Sequence, residues 1–191
     1  MSKYFMASLL AGSIVATLSM PVLAAEDSGT VNFSGKIVSN TCEINVNDSG
    51  TNISTVTLPD TYASDYANDG SVGASKPFKI EVSKCDPLVA KLNLKFSGDT
   101  TDAGFKRLKN SLPAEAGNAA NVGITVTNNN GSGGDVLFDG STPDAATDVD
   151  NDPQGLAASV FNYTANVIQV GAVAPTAGKY SASATFEVVY R

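Results

Sequence analysis

The sequence predicts an all-β domain. Apolar and polar residues alternate with period two in several short runs, and Gly, Asn, Asp and Pro separate those runs at short intervals. No stretch longer than about two turns keeps a helical period. Several short strands joined by irregular turns favour a sandwich over a parallel α/β sheet.

The first segment is of another kind. Lys3 precedes an apolar run over residues 4–20, followed by Pro21, Val22, Leu23, Ala24 and Ala25. Val22 and Ala24 stand three and one positions before a cut, so residues 1–24 read as a secretory signal peptide, cleaved after Ala24 or Ala25. A membrane anchor is the competing reading. The run is short for a bilayer, carries Gly12, Ser13, Thr17 and Ser19, and is followed by no second apolar stretch. What remains divides into an extension over residues 25–38 and one domain over residues 39–191.

Within the extension, Val31, Phe33, Gly35 and Ile37 share one face against Asn32, Ser34, Lys36 and Val38. On these residues alone it is either an ordinary first strand or a segment that serves elsewhere. Residues 51–58 and 78–82 read as the next strands, and residues 88–96 continue the pattern with Leu92, Leu94 and Phe96 on one face. Val122, Ile124 and Val126 mark another strand. Asn130-Gly131, within an Asn- and Gly-rich run, predicts a turn that returns Val136, Leu137 and Phe138 as a hairpin partner. Residues 139–155, rich in Asp and holding Pro143 and Pro153, read as a solvated loop. Residues 158–170 alternate less cleanly. The clearest strand is the last, with Tyr180, Ala182, Ala184, Phe186, Val188 and Tyr190 opposite Ser181, Ser183, Thr185, Glu187, Val189 and Arg191.

Chemistry is sparse. The formal charge is −7, and removing residues 1–24 takes away only Lys3, so the surface repels nucleic-acid phosphates and anionic membranes. The chain has no histidine, which eliminates imidazole bases, the usual triads and His-containing zinc sites. Most acidic residues sit beside Gly, Asn, Ser or Pro, where Asp serves turns, so no catalytic residue and no cofactor is expected. Asp148-Val149-Asp150-Asn151-Asp152 imitates the start of a calcium loop, but Pro153 and Ser159 stand where that loop needs Gly and Glu, and no metal site is assigned. Cys42 and Cys85 both lie in the exported part and are expected to form one disulfide, worth about 4 kcal/mol by loop closure.

Several pieces together carry a family resemblance. Gly29-Thr30-Val31-Asn32-Phe33-Ser34-Gly35-Lys36-Ile37-Val38 is followed by Cys42, by Ser83-Lys84-Cys85, and by Ala184-Thr185-Phe186-Glu187-Val188-Val189-Tyr190-Arg191. In this order, behind a signal peptide, they resemble a type 1 fimbrial subunit of the chaperone-usher kind. Asn121-Val122-Gly123-Ile124 is similar to the family's mid-domain strand. The resemblance implies an incomplete immunoglobulin-like sandwich that lacks its final strand and is completed by donor-strand exchange, a form of β-augmentation. It further implies export through the periplasm with a chaperone, delivery to an outer-membrane usher, and assembly with copies of itself into a cell-surface fimbrium that supports adhesion. Val31, Phe33, Gly35 and Ile37 would be the donor residues. Ala184, Phe186, Val188 and Tyr190 would line the acceptor groove, with the carboxylate at Arg191 anchoring the chaperone. A major shaft subunit is the first expectation, a minor or adaptor subunit the near alternative, and one domain leaves no room for a two-domain tip adhesin. Residues 139–152 match no part of the family pattern; a monomeric secreted binding module using that loop is the rival from another class.

Overall fold

A computed structural model describes residues 42–191; the segments read from the sequence as a signal peptide and as an extension carrying Val31, Phe33, Gly35 and Ile37 lie outside them. The described residues contain nine strands, two 3-10 turns and no α-helix. In chain order the strands are β1 (Glu43–Val46), β2 (Val72–Ser83), β3 (Lys91–Gly98), β4 (Leu108–Lys109), β5 (Val122–Asn128), β6 (Gly134–Asp135), β7 (Val149–Asp150), β8 (Ser159–Gln169) and β9 (Ala184–Tyr190). They form two sheets. The larger runs β1-β2-β8-β5-β4 with β6 added on β5, and the smaller runs β7-β3-β9. Every ladder between strands is antiparallel.

Alternation determines what each sheet contributes to the core. From the large sheet, Ile80 and Val82 on β2, Phe161, Tyr163, Ala165 and Val167 on β8, and Val122, Ile124 and Val126 on β5 are buried. Leu92, Leu94 and Phe96 on β3 meet them from the small sheet. The strand that alternates least cleanly, β8, lies between β2 and β5 over most of its length, which explains why Ile168 and Gln169 are buried beside inward-facing Val167.

Several expected boundaries differ. Residues 51–58 form no ladder among the described residues. There, Ile53 N–H donates to Thr51 Oγ1 and the Ile53 carbonyl accepts from Ser49 Oγ, so side chains occupy both backbone groups that Ile53 would bring to a ladder. β2 runs longer than residues 78–82 despite Pro77, which sits where β2 has no second neighbour among the described residues. The hairpin after Asn130-Gly131 forms, but its returning arm pairs over only two residues before the chain crosses to the small sheet, where Asp139 bridges Ser97. Residues 139–155 are more structured than expected, with a 3-10 turn at Ala145–Thr147 and β7 paired to β3. The ladder of β9 begins at Ala184 rather than residue 180, because the preceding residues turn aside to meet Asn110 and Ser111.

The disulfide joins Cys42 to Cys85. It ties the start of β1 to the loop leaving β2, and Cys85 is buried.

Candidate functional site

The last strand presents an unfinished edge. β9 pairs with β3 in the register Leu92↔Tyr190, Leu94↔Val188, Phe96↔Phe186 and Gly98↔Ala184, and no strand among the described residues pairs with its other side. A strand with one free edge exposes a row of backbone donors and acceptors that invites another strand.

Side chains beside that edge are incompletely covered. Leu92, Leu94 and Phe96 on β3 are at most 7% exposed, yet their partners Tyr190, Val188 and Phe186 are only half-buried and Ala184 is exposed. All four share the inward face of β9. Core residues next to a complete sheet neighbour would not show this gradient, so among the described residues the apolar interior is open along β9.

The floor of the opening is aromatic. Phe78 stacks on Tyr163 at 5.4 Å between ring centroids, Phe96 meets Tyr163 edge-on at 5.4 Å, and Phe186 lies 5.9 Å from Phe96. This chain of rings links β2 and β8 of the large sheet to β3 and β9 of the small one. Ile44, Leu58, Ala74 and Phe78, packed against the core yet only partly buried, add apolar surface to the large-sheet side. The Tyr163 hydroxyl is buried without a hydrogen-bond partner, and burial raises its phenol above the ordinary value. Tyr180, just before β9, is raised too, first by burial and then by Tyr66 and Asp60 nearby.

The sequence-predicted acceptor residues are thus brought together on one face, with Arg191 immediately beyond. Its main-chain N–H donates to the Lys91 carbonyl and its main-chain oxygen accepts from Ala90 and Lys91. The predicted donor residues lie outside the described residues. Sequence reasoning missed Phe78 and Tyr163 as the groove floor, because alternation shows that they face inward but not which sheet they meet.

The aspartates of residues 139–152 turn to internal partners. Asp148 accepts from Arg191 and Asn93, Asp150 pairs with Lys91, and Asp152 accepts from the N–H groups of Gln154, Leu156 and Ala157. No group of three or more His, Cys, Asp or Glu among the described residues is placed to hold a metal.

An all-β sandwich with one disulfide and an open edge along its last strand defines a class of domain suited to receiving a strand from outside. The family model for fimbrial proteins matches residues 31–191, and the chain belongs to that family. It is 29% identical to the type-1 fimbrial protein A chain of Escherichia coli K12, covering 96% of this chain and 94% of the relative. It is 34% identical to the minor fimbrial subunit HifD of Haemophilus influenzae, over 91% of this chain and 78% of that one. Among solved structures it resembles the P pilus rod subunit PapA, with a TM-score of 0.57, 25% identity and coverage of 85% and 100%. A chain from a chaperone-usher pilus structure concerned with rod uncoiling matches with a TM-score of 0.58 and 26% identity, covering 87% and 98%.

Proposed function

We propose that this chain is a structural subunit of a chaperone-usher fimbria, exported through the periplasm and polymerised by donor-strand complementation. The observation that carries the reading is the free edge of β9 beside the half-buried Phe186, Val188 and Tyr190. A neighbour's extension, presenting Val31, Phe33, Gly35 and Ile37, would complete the small sheet and close the core. Burying three such apolar side chains contributes about 5–9 kcal/mol before ordering costs. Gly35 would let the backbones approach where a side chain would hold them apart. Head-to-tail donation does not close on itself, so the product is a filament. A periplasmic chaperone covering the same edge would keep the subunit from aggregating before delivery to the usher. The role is structural, with no catalytic chemistry assigned.

Deleting residues 26–35 tests this directly. The expected result is a subunit that is still exported and bound by chaperone but forms no filaments in electron micrographs and no heat-resistant ladder on gels. Filaments like those of the parent would overturn the reading. The similarity to PapA and the type-1 A chain supports a shaft position; that to HifD supports a minor one. Immunogold labelling separates them, along the whole fibre or at isolated points.

A further inference from the structure

Between Asp139, which bridges Ser97, and β7, residues 143–148 cover the outward side of β3 and reach the end of β9. Asn93 lies on the outward side of β3, between inward-facing Leu92 and Leu94, yet it is fully buried. Its Nδ2 lies within reach of Asp148 Oδ1 at 2.7 Å, Thr147 Oγ1 at 3.0 Å and the Asp144 carbonyl at 3.3 Å. Thr147 Oγ1 in turn donates to the Asp144 carbonyl at 2.8 Å. The Arg191 guanidinium crosses to the same place, donating to Asp148 Oδ1 and, at 2.6 Å, to the Pro143 carbonyl. The Asp148 side chain is 9% exposed, so this ion pair is shielded from solvent, unlike the Lys91–Asp150 pair nearby, where both side chains are well exposed.

We propose that this loop is a latch that holds the end of β9 in register, with Asp148, Asn93 and the Pro143 carbonyl as positioning groups acting through Arg191. Strand ends fray, and a fraying acceptor edge offers a poor template for an incoming strand. The main-chain bonds of Arg191 reach Lys91 at the start of β3 and Ala90 just before it, whereas the side-chain bonds fix the same residue to a second segment. The inference rests on the acceptor reading for its consequence, but the latch is testable without it.

The test compares the full chain with Asp148→Ala, Asp148→Asn and, as a control, Asp150→Ala. Amide hydrogen exchange at Val189 and Arg191, whose N–H groups point to β3, should accelerate about tenfold or more in Asp148→Ala, with β2 and β8 unchanged. Asp148→Asn, which keeps an acceptor for Arg191 and Asn93, should restore part of the protection, and Asp150→Ala should match the parent. Arg191→Ala should reproduce the Asp148→Ala pattern without touching a buried group, which covers the case that Asp148→Ala fails to fold. Uptake of a synthetic peptide spanning residues 26–38 should slow by a similar factor in Asp148→Ala. Unchanged exchange at Val189 and Arg191, or acceleration spread equally over both sheets, would overturn the latch, and peptide uptake at the rate of a parent that does take it up would overturn its consequence for the acceptor edge. A parent that takes up no peptide would instead sink the donor-strand reading, and the exchange comparison would still decide the latch.

Discussion

Gly73 is restricted by what lies above it. A Cβ there would sit 2.3 Å from Tyr66 Cζ and 2.4 Å from both Tyr66 Oη and Thr61 Oγ1, and Tyr66 is itself buried. Gly73→Ala must therefore displace a core ring and should cost about 2 kcal/mol, read as a lowered urea midpoint at unchanged slope. Nothing in the sequence marks this position, since Gly73 sits in a run of small residues and nothing in the alternation says that Tyr66, in the connection before β2, folds back over it. Asp152 illustrates a residue-level effect of pH. The backbone N–H of Gln154, then those of Ala157 and Leu156, hold its carboxyl below the ordinary Asp value of 3.8. A group depressed in the folded state contributes stability above its unfolded value and loses it as pH falls through the folded one. The Leu156 and Ala157 amide shifts should accordingly titrate with a midpoint under 3.8; a midpoint at or above that value would contradict the arrangement. The sequence places Asp152 in the loop over residues 139–155, and the amides it holds are those of the residues just after it, so the local bonding, though not the loop's structure, was legible.

At the scale of elements, β9 was the clearest strand in the sequence and is the strand on which the candidate site rests. Its alternation made Phe186, Val188 and Tyr190 legible as one face. That they are half-buried rather than buried was not, because exposure depends on a neighbour that alternation does not specify. Val188→Asp puts a charge on that face, where an incoming apolar strand would have to desolvate it. Filaments should be lost while the far-ultraviolet circular dichroism of the subunit stays β-rich. Parent-like filament yield would show that the inward face of β9 is not where the strand docks. Residues 51–58 show the opposite case. Their pattern resembles a strand, but the Ser49 and Thr51 side chains occupy the backbone groups of Ile53, and side-chain competition of that sort leaves no trace in alternation. Residues 139–155 were read as solvated because they are polar; the structure uses that polarity internally, to bury Asn93 and hold Arg191.

The whole molecule depends on joining distant segments. Cys42 and Cys85 are 43 residues apart and bonded, tying the start of the described domain to the loop after β2. Replacing both by Ser should lower the unfolding free energy by about 4 kcal/mol on the loop-closure account, measured by urea titration of the secreted protein. An unchanged midpoint would assign the bond no stabilising role. By itself, the sequence determined the all-β class, the existence of most strands, the disulfide pair and the face of the last strand, because these follow from local periodicity, residue chemistry and compartment. Tertiary structure alone decided that β9 pairs with one strand among the described residues, that an aromatic floor joins β2 and β8 to β3 and β9, and that a polar loop closes over Asn93. These are pairings between residues far apart in the chain. Period-two alternation assigns each side chain to a face, but the partner across an edge or between sheets is chosen only when the whole fold competes for it.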